Sequence, residues 1–220
     1  MKLLLPISLM SVALLASAAS GAPASLDNMT TGDPAAPIHI VEYAAVSCPH
    51  CRDWEQTVFR QLKQDYIDHG QVLFEIRESE IEGDTGNFGA KGFMIARCAG
   101  REKYFLVIDN LWSNLQSIGY VDGNQWLQAA GQAGGLSTDQ VNACIADKAN
   151  WAAWDARASA NYDPDDLDEQ MCYLPTVYVN GYKVRTESFF PTYEAIVQAI
   201  DAARTNPRPA PTHDPDFKCP

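Results

Sequence analysis

The chain has 220 residues, 46% of them hydrophobic and 20% charged, with a formal net charge of −12 at neutral pH. That length can bury one sizeable core, or a core with an inserted subdomain, and so acidic a body argues against nucleic acid as a partner. The cysteines stand at 48, 51, 98, 144, 172 and 219, an even number that suits an oxidising compartment.

The N-terminus reads as an export signal, with Lys2, an apolar segment from Leu3 to Leu15 and the small-residue run Ala16-Ser17-Ala18. Cleavage is expected after Ala18, with Ala22 or Ala24 as alternatives, giving a signal peptide over 1–18. The apolar run is short for a bilayer span. Removing it deletes one lysine and takes the formal charge from −12 to −13. Residues 19–37 are small, polar and Pro-containing, and read as an N-terminal arm of the mature chain.

Ile38 to Tyr43 reads as a buried strand, Arg52 to His69 as a helix and Val72 to Ile76 as a second strand, so Cys48-Pro49-His50-Cys51 sits in a βαβ unit at a helix start. Two thiols at this spacing are suited to dithiol/disulfide exchange. Helix N-termini carry unpaired N–H groups and partial positive charge, which stabilise a thiolate at Cys48. His50 can add a donor or a charge to that anion, and Pro49 suits a first helical turn because it lacks an N–H. Structural zinc is the alternative for such a pair, but it needs a second ligand pair, and the sequence downstream has no second C-x-x-C or H-x-x-x-H. No metal is expected.

From Thr85 to Asn161 helical patterns take over. Tyr104, Val107, Ile108, Leu111, Trp112 and Leu115 fall at helical spacing, and Ser137 with Gln140 forms a capping box ahead of Val141, Cys144 and Ile145. Trp151 and Trp154 are expected to pack within this helical part. The acidic stretch Asp163 to Glu169 lacks the glycine and closing glutamate of an EF-hand and reads as a solvated loop, with calcium as the alternative. Thr176 to Val179 forms a strand, Asn180-Gly181 a hairpin turn and Tyr182 to Val184 its partner. Thr192 opens a closing helix that runs to about Thr205, and a Pro-rich tail occupies 207–220. The order strand, helix, strand, helical insert, hairpin, helix predicts an α/β, thioredoxin-like fold with an inserted helical domain: 38–84 with 162–206 for the first, 85–161 for the second.

With Cys48 and Cys51 assigned to each other, three connectivities remain open for the other four cysteines. Cys98 with Cys144 is the expected pair, since both end helical patterns. Cys172 with Cys219 would tie the tail to the core.

These residues resemble the DsbA-type periplasmic thiol:disulfide oxidoreductases, most specifically at Ile40-Val41-Glu42-Tyr43 leading to the Cys48–Cys51 motif, and at Leu174-Pro175-Thr176 followed by Val179-Asn180-Gly181. The resemblance implies a cis peptide at Pro175 beside the active-site sulfurs, and a buried Glu42 beneath them that accepts or relays the Cys51 proton. An edge-facing Glu42 in an alternating strand is the alternative. Tyr173-Leu174 departs from the Gly-Thr or Gly-Val pair usual before that proline, which alters the wall that substrate strands pair against. Cys172 is also unusual there: it is either structural or close enough to exchange with the active pair.

The function so implied is an oxidase without a bound cofactor. A substrate thiolate attacks the exposed sulfur of Cys48, whose pKa is expected roughly in the 3.5–5 range, and a mixed disulfide forms. The implied partners are unfolded or reduced exported proteins and a quinone-linked membrane reoxidase, and the implied state is a periplasmic monomer. A disulfide isomerase or reductase is the alternative within the same chemistry, and a non-catalytic, chaperone-like binding module the alternative outside it.

Overall fold

The computed structural model describes residues 27–81, 84, 86–115, 123–161, 173–186 and 190–205. The expected signal peptide, the acidic stretch at 163–169, Cys172 and the tail with Cys219 lie outside the described residues.

Five strands form one mixed sheet in the order β1-β3-β2-β4-β5: β1 Met29–Gly32, β2 Ile38–Ala44, β3 Val72–Glu78, β4 Thr176–Val179 and β5 Tyr182–Lys183. β2 pairs parallel with β3 and antiparallel with β4. Ile38, Ile40 and Glu42 share a sheet face with Val72, Phe74 and Ile76, because the register sets Ile40 opposite Phe74 and Glu42 opposite Ile76. On that face the Phe74 ring meets Trp54, Phe59 and Phe105.

The helix that starts at the cysteine motif is α1, Pro49–Trp54, and it runs on without a break through Glu55–Phe59, Arg60–Leu62 and Lys63–Ile67. Two of those stretches, Glu55–Phe59 and Lys63–Ile67, widen to π-helical turns. The helix buries Cys51, Trp54, Glu55, Val58 and Leu62 along one stripe. Then come α2 Phe88–Cys98, α3 Tyr104–Ser113, α4 Gly123–Ala133, α5 Thr138–Ala146 and α6 Lys148–Asn161, and after the hairpin α7 Tyr193–Thr205.

The helical aromatics are core. Tyr104, Val107, Ile108, Leu111, Trp112 and Leu115 are all buried, and Trp154 stacks on Phe93 with centroids 5.8 Å apart. The Ser137/Gln140 box caps α5 with both of its reciprocal bonds. Cys98 at the end of α2 is disulfide-bonded to Cys144 of α5, with Asn150 donating to the Cys144 carbonyl at 2.9 Å.

The helices are tied to the sheet by a buried ionic cluster at the end of β3. One Glu78 oxygen accepts from Arg97 of α2 at 2.5 Å and from the Tyr104 hydroxyl at 3.0 Å; the other accepts from Arg157 of α6 at 2.9 Å.

Two boundaries differ from expectation. Residues 19–37, read as an arm ahead of the fold, include β1, which pairs antiparallel with β3 and buries Met29. Its four residues carry a single large apolar side chain, so tertiary pairing and not pattern makes it a strand. The first helix begins at Pro49, and its helical turns end at Ile67.

Candidate active site

Cys48 is the N-cap of α1, with extended backbone (φ −89°, ψ 117°), and its carbonyl accepts from the Arg52 N–H at 3.2 Å. Pro49 follows as the first helical residue. One turn on, Cys51 points into the core. The two sulfurs are free thiols, so the structure describes the reduced pair. Cys48 is 5% exposed and Cys51 0%. The expected exposed sulfur is therefore only a narrow opening, since the loop before β4 covers it: the Cys48 thiol lies against the Leu174 carbonyl at 3.7 Å. The Leu174–Pro175 peptide is cis, both Tyr173 and Leu174 are half-buried, and the Tyr173 carbonyl accepts from Thr176 Oγ1 at 2.6 Å.

A hydrogen bond from the Cys51 thiol is the largest influence on Cys48 and brings its pKa down to about 6; burial opposes it, while the backbone N–H groups of Cys51 and His50 and then the His50 charge add smaller help. Burial is what keeps Cys48 above the 3.5–5 range. His50, expected between the sulfurs, is exposed, and its ring packs on Phe190 with centroids 4.6 Å apart.

Beneath the sulfurs, Glu42 of β2 is 1% exposed. Burial, the nearby Glu55 and Cys48 raise its carboxyl well above the usual range. Cys51 is likewise raised well above an ordinary thiol, first by burial, then by Cys48 and Glu42. The pair is thus polarised: one sulfur that ionises easily, one that holds its proton. Such a dithiol can exchange disulfides, with Cys48 as nucleophile and leaving group and Cys51 as the buried partner.

Glu55, Trp54 and Phe190 escaped the sequence reading. Trp54 donates its indole N–H to the Pro191 carbonyl at 2.8 Å, and a recess of about 390 Å³ lies between Asp53, Trp54 and Val58 of the helix and Phe190 to Tyr193. The signal for Glu55 was present. It falls on the same helical stripe as Cys51, Trp54, Val58 and Leu62, where a carboxylate is out of place. No group of three His, Cys, Asp or Glu side chains suited to a metal occurs among the described residues, and no helix among them is long and apolar enough to cross a membrane.

The thioredoxin family model matches residues 24–202. The chain belongs to the thioredoxin family. Within that family it is similar to a Rickettsia prowazekii protein named as a protein-disulfide oxidoreductase, 28% identical over 184 residues that make up 80% of this chain and 61% of that protein. The chain thus spans about three fifths of that relative's length. Disulfide bond formation protein D of Bacillus subtilis is 24% identical over 84% of this chain and 80% of its own. Among solved structures, Wolbachia pipientis α-DsbA1 superposes with a TM-score of 0.67 at 24% identity, covering 80% of this chain and 90% of the other. BdbD from Bacillus subtilis, in its oxidised form, gives 0.65 at 18% identity, covering 81% and 94%. The fold is therefore thioredoxin-like, with DsbA-type proteins as structural neighbours.

Proposed function

We propose that this thioredoxin-family chain is an exported thiol:disulfide oxidase that donates a Cys48–Cys51 disulfide to reduced proteins. The carrying observation is the asymmetry of the dithiol, with Cys48 down at about 6 and Cys51 raised. A stable Cys48 thiolate favours the reduced enzyme, and the disulfide form is then driven to pass its bond on. A substrate thiolate attacks Cys48, Cys51 leaves and takes a proton, and a second substrate thiol resolves the mixed disulfide at Cys48. Two electrons move from substrate to enzyme, and no cofactor enters.

In this reading Pro175, Leu174 and Tyr173 form the wall beside which an extended substrate lies. Residues 38–84 with 162–206 act as the thioredoxin-like domain and 85–161 as the helical insert. The protein works as a monomer in the periplasm after signal cleavage and is reoxidised by a quinone-linked membrane partner. The relatives' names support the chemistry, and the N-terminal pattern supports the location.

The test is oxidative refolding of a reduced, multi-cysteine protein by the oxidised enzyme, set beside insulin reduction. Stoichiometric disulfide transfer, with a Cys48→Ser variant inactive, is expected. A protein that reduces insulin readily but oxidises nothing would be the reductase alternative.

A further inference from the structure

The Phe190 ring lies on the exposed imidazole of His50, with centroids 4.6 Å apart and the planes inclined by 33°. Exposed side chains exchange rotamers on the picosecond to nanosecond scale, so a histidine in the first turn of a helix keeps one place only when a neighbour holds it. Phe190 is placed to do that. It is half-buried and belongs to the segment ahead of α7, which is fastened at three points. Thr186 Oγ1 donates to the Phe190 carbonyl at 3.2 Å, the Trp54 indole N–H to the Pro191 carbonyl at 2.8 Å, and the Tyr193 hydroxyl to Asp65 Oδ2 at 2.5 Å. Trp54 and Asp65 both stand on the helix that carries His50, so the ring and the imidazole share one support.

We propose that Phe190 is a positioning residue of the exchange reaction: its ring holds His50 beside the start of α1 and strengthens the pairing of imidazolium with the Cys48 thiolate, and so sets part of the oxidising power. The proposal rests on the exchange chemistry above and assigns a role to a residue which that reading leaves unused.

The argument turns on which redox state the contact favours. The face of an aromatic ring is the negative side of its quadrupole, so it attracts an imidazolium more than a neutral imidazole. The His50 charge favours the Cys48 thiolate, and by reciprocity the thiolate favours that charge. The thiolate exists only while the pair is reduced. The stack is therefore worth more in the reduced protein than in the disulfide form, and a contact with that bias makes the disulfide more oxidising. The charged and titratable groups around it are Cys48, Cys51 and Glu42 on the side of the sulfurs, and Asp53 and Tyr193 on the recess beside Phe190. Arg52 donates to Asp53 through Nε at 2.8 Å and Nη2 at 2.6 Å, which offsets that carboxylate.

The experiment is the redox equilibrium of the full protein with glutathione at pH 7, read by acid quench, alkylation and mass spectrometry. Two glutathione thiols reduce the Cys48–Cys51 disulfide and become one glutathione disulfide; two electrons pass to the enzyme, one proton stays on Cys51 and one is released from the Cys48 thiolate. Phe190→Ala and Phe190→Leu should each lower the equilibrium constant for reducing the enzyme by about two- to fivefold, the scale of one exposed ring–cation contact, and by no more than His50→Ala does. Both should also move the Cys48 thiolate absorbance to higher pH. Phe190→Tyr, which keeps the ring face, should match wild type in both readouts. In a His50→Ala background Phe190→Ala should change nothing further, since the ring acts through the imidazole. An equal drop in that background would mean that the ring merely braces the loop, and would overturn the proposal. So would a Phe190→Leu variant with the wild-type constant, or a Phe190→Tyr variant that fails to restore it. Failure of the oxidase reading shows separately, in the refolding of a protein substrate by wild type.

Discussion

The Cys48 sulfur lies 3.7 Å from the Leu174 carbonyl, a contact between positions 126 residues apart. A carbonyl can accept from a thiol but offers nothing to a thiolate, so ionising Cys48 forfeits this contact while keeping the bond from Cys51. The balance favours the anion, and the pKa of about 6 follows. Absorbance of the reduced protein at the thiolate band should show one transition near pH 6. Cys51→Ala should raise it, and by more than His50→Ala does, since the Cys51 thiol is the larger influence. Equal shifts in the two variants would assign the low pKa to His50 instead.

The same thiolate makes the stability of the reduced form depend on pH. A thiol whose pKa falls from 9.0 to about 6 on folding contributes stability that is complete above 9 and lost as pH drops through 6. Denaturant melts of the reduced and oxidised forms should therefore diverge in favour of the reduced form as pH rises from 6, by at most about 1.4 kcal/mol per unit, less whatever water at the sulfur screens. A constant difference across pH 6 to 8 would refute the linkage.

Glu42 carries the opposite sign. Its carboxyl is raised on folding, so it costs nothing below the unfolded value and progressively more as pH climbs above it. Glu42→Leu should stabilise the oxidised protein by about 1–3 kcal/mol near neutrality, with a smaller gain at pH 5 than at pH 8. Urea midpoints at those two pH values measure it, and slower disulfide exchange is expected alongside.

The Cys98–Cys144 bond spans a sequence separation of 46, for which loop closure is worth about 4 kcal/mol in the chain-entropy account. Replacing both cysteines by serine should lower stability by about 2–4 kcal/mol and leave the Cys48 titration where it is. Thermal and thiolate titrations on one sample separate these effects.

Gly92 of α2 lies against the strand-to-helix loop that delivers Cys48. A Cβ there would come within 2.7 Å of Val46 Cγ2 and 3.1 Å of Leu111 Cδ1. Gly92→Ala should cost about 1–3 kcal/mol by overpacking, and should change the alkylation rate of Cys48 because Val46 stands two residues before it.

The dithiol was legible because its signal is local: spacing, a strand before it and a helix after it. The helical core was legible because six residues from Tyr104 to Leu115 keep one period. β1 was not, since an edge strand of Met29–Gly32 has no pattern of its own and exists only through pairing with β3. The narrowness of the opening at Cys48 was not, because its cover comes from Leu174, far along the chain. Glu55 was overlooked because a charge on a helix is ordinarily solvated, and only the stripe shared with Cys51, Trp54 and Val58 betrays its burial. The π-helical turns at Glu55–Phe59 and Lys63–Ile67 follow from no sequence rule applied to the chain.

Glu78 holds two arginines from separate helices on its two oxygens. Swinging the helical layer away from the sheet would leave the Glu78 carboxylate without these guanidiniums in a dry interior, at a cost of about 3–5 kcal/mol. The helical layer and the sheet are therefore riveted together at the end of β3. In the proposed oxidase role an unfolded chain threads itself against a rim held by that cluster, and the freedom needed to meet diverse sequences resides in the client.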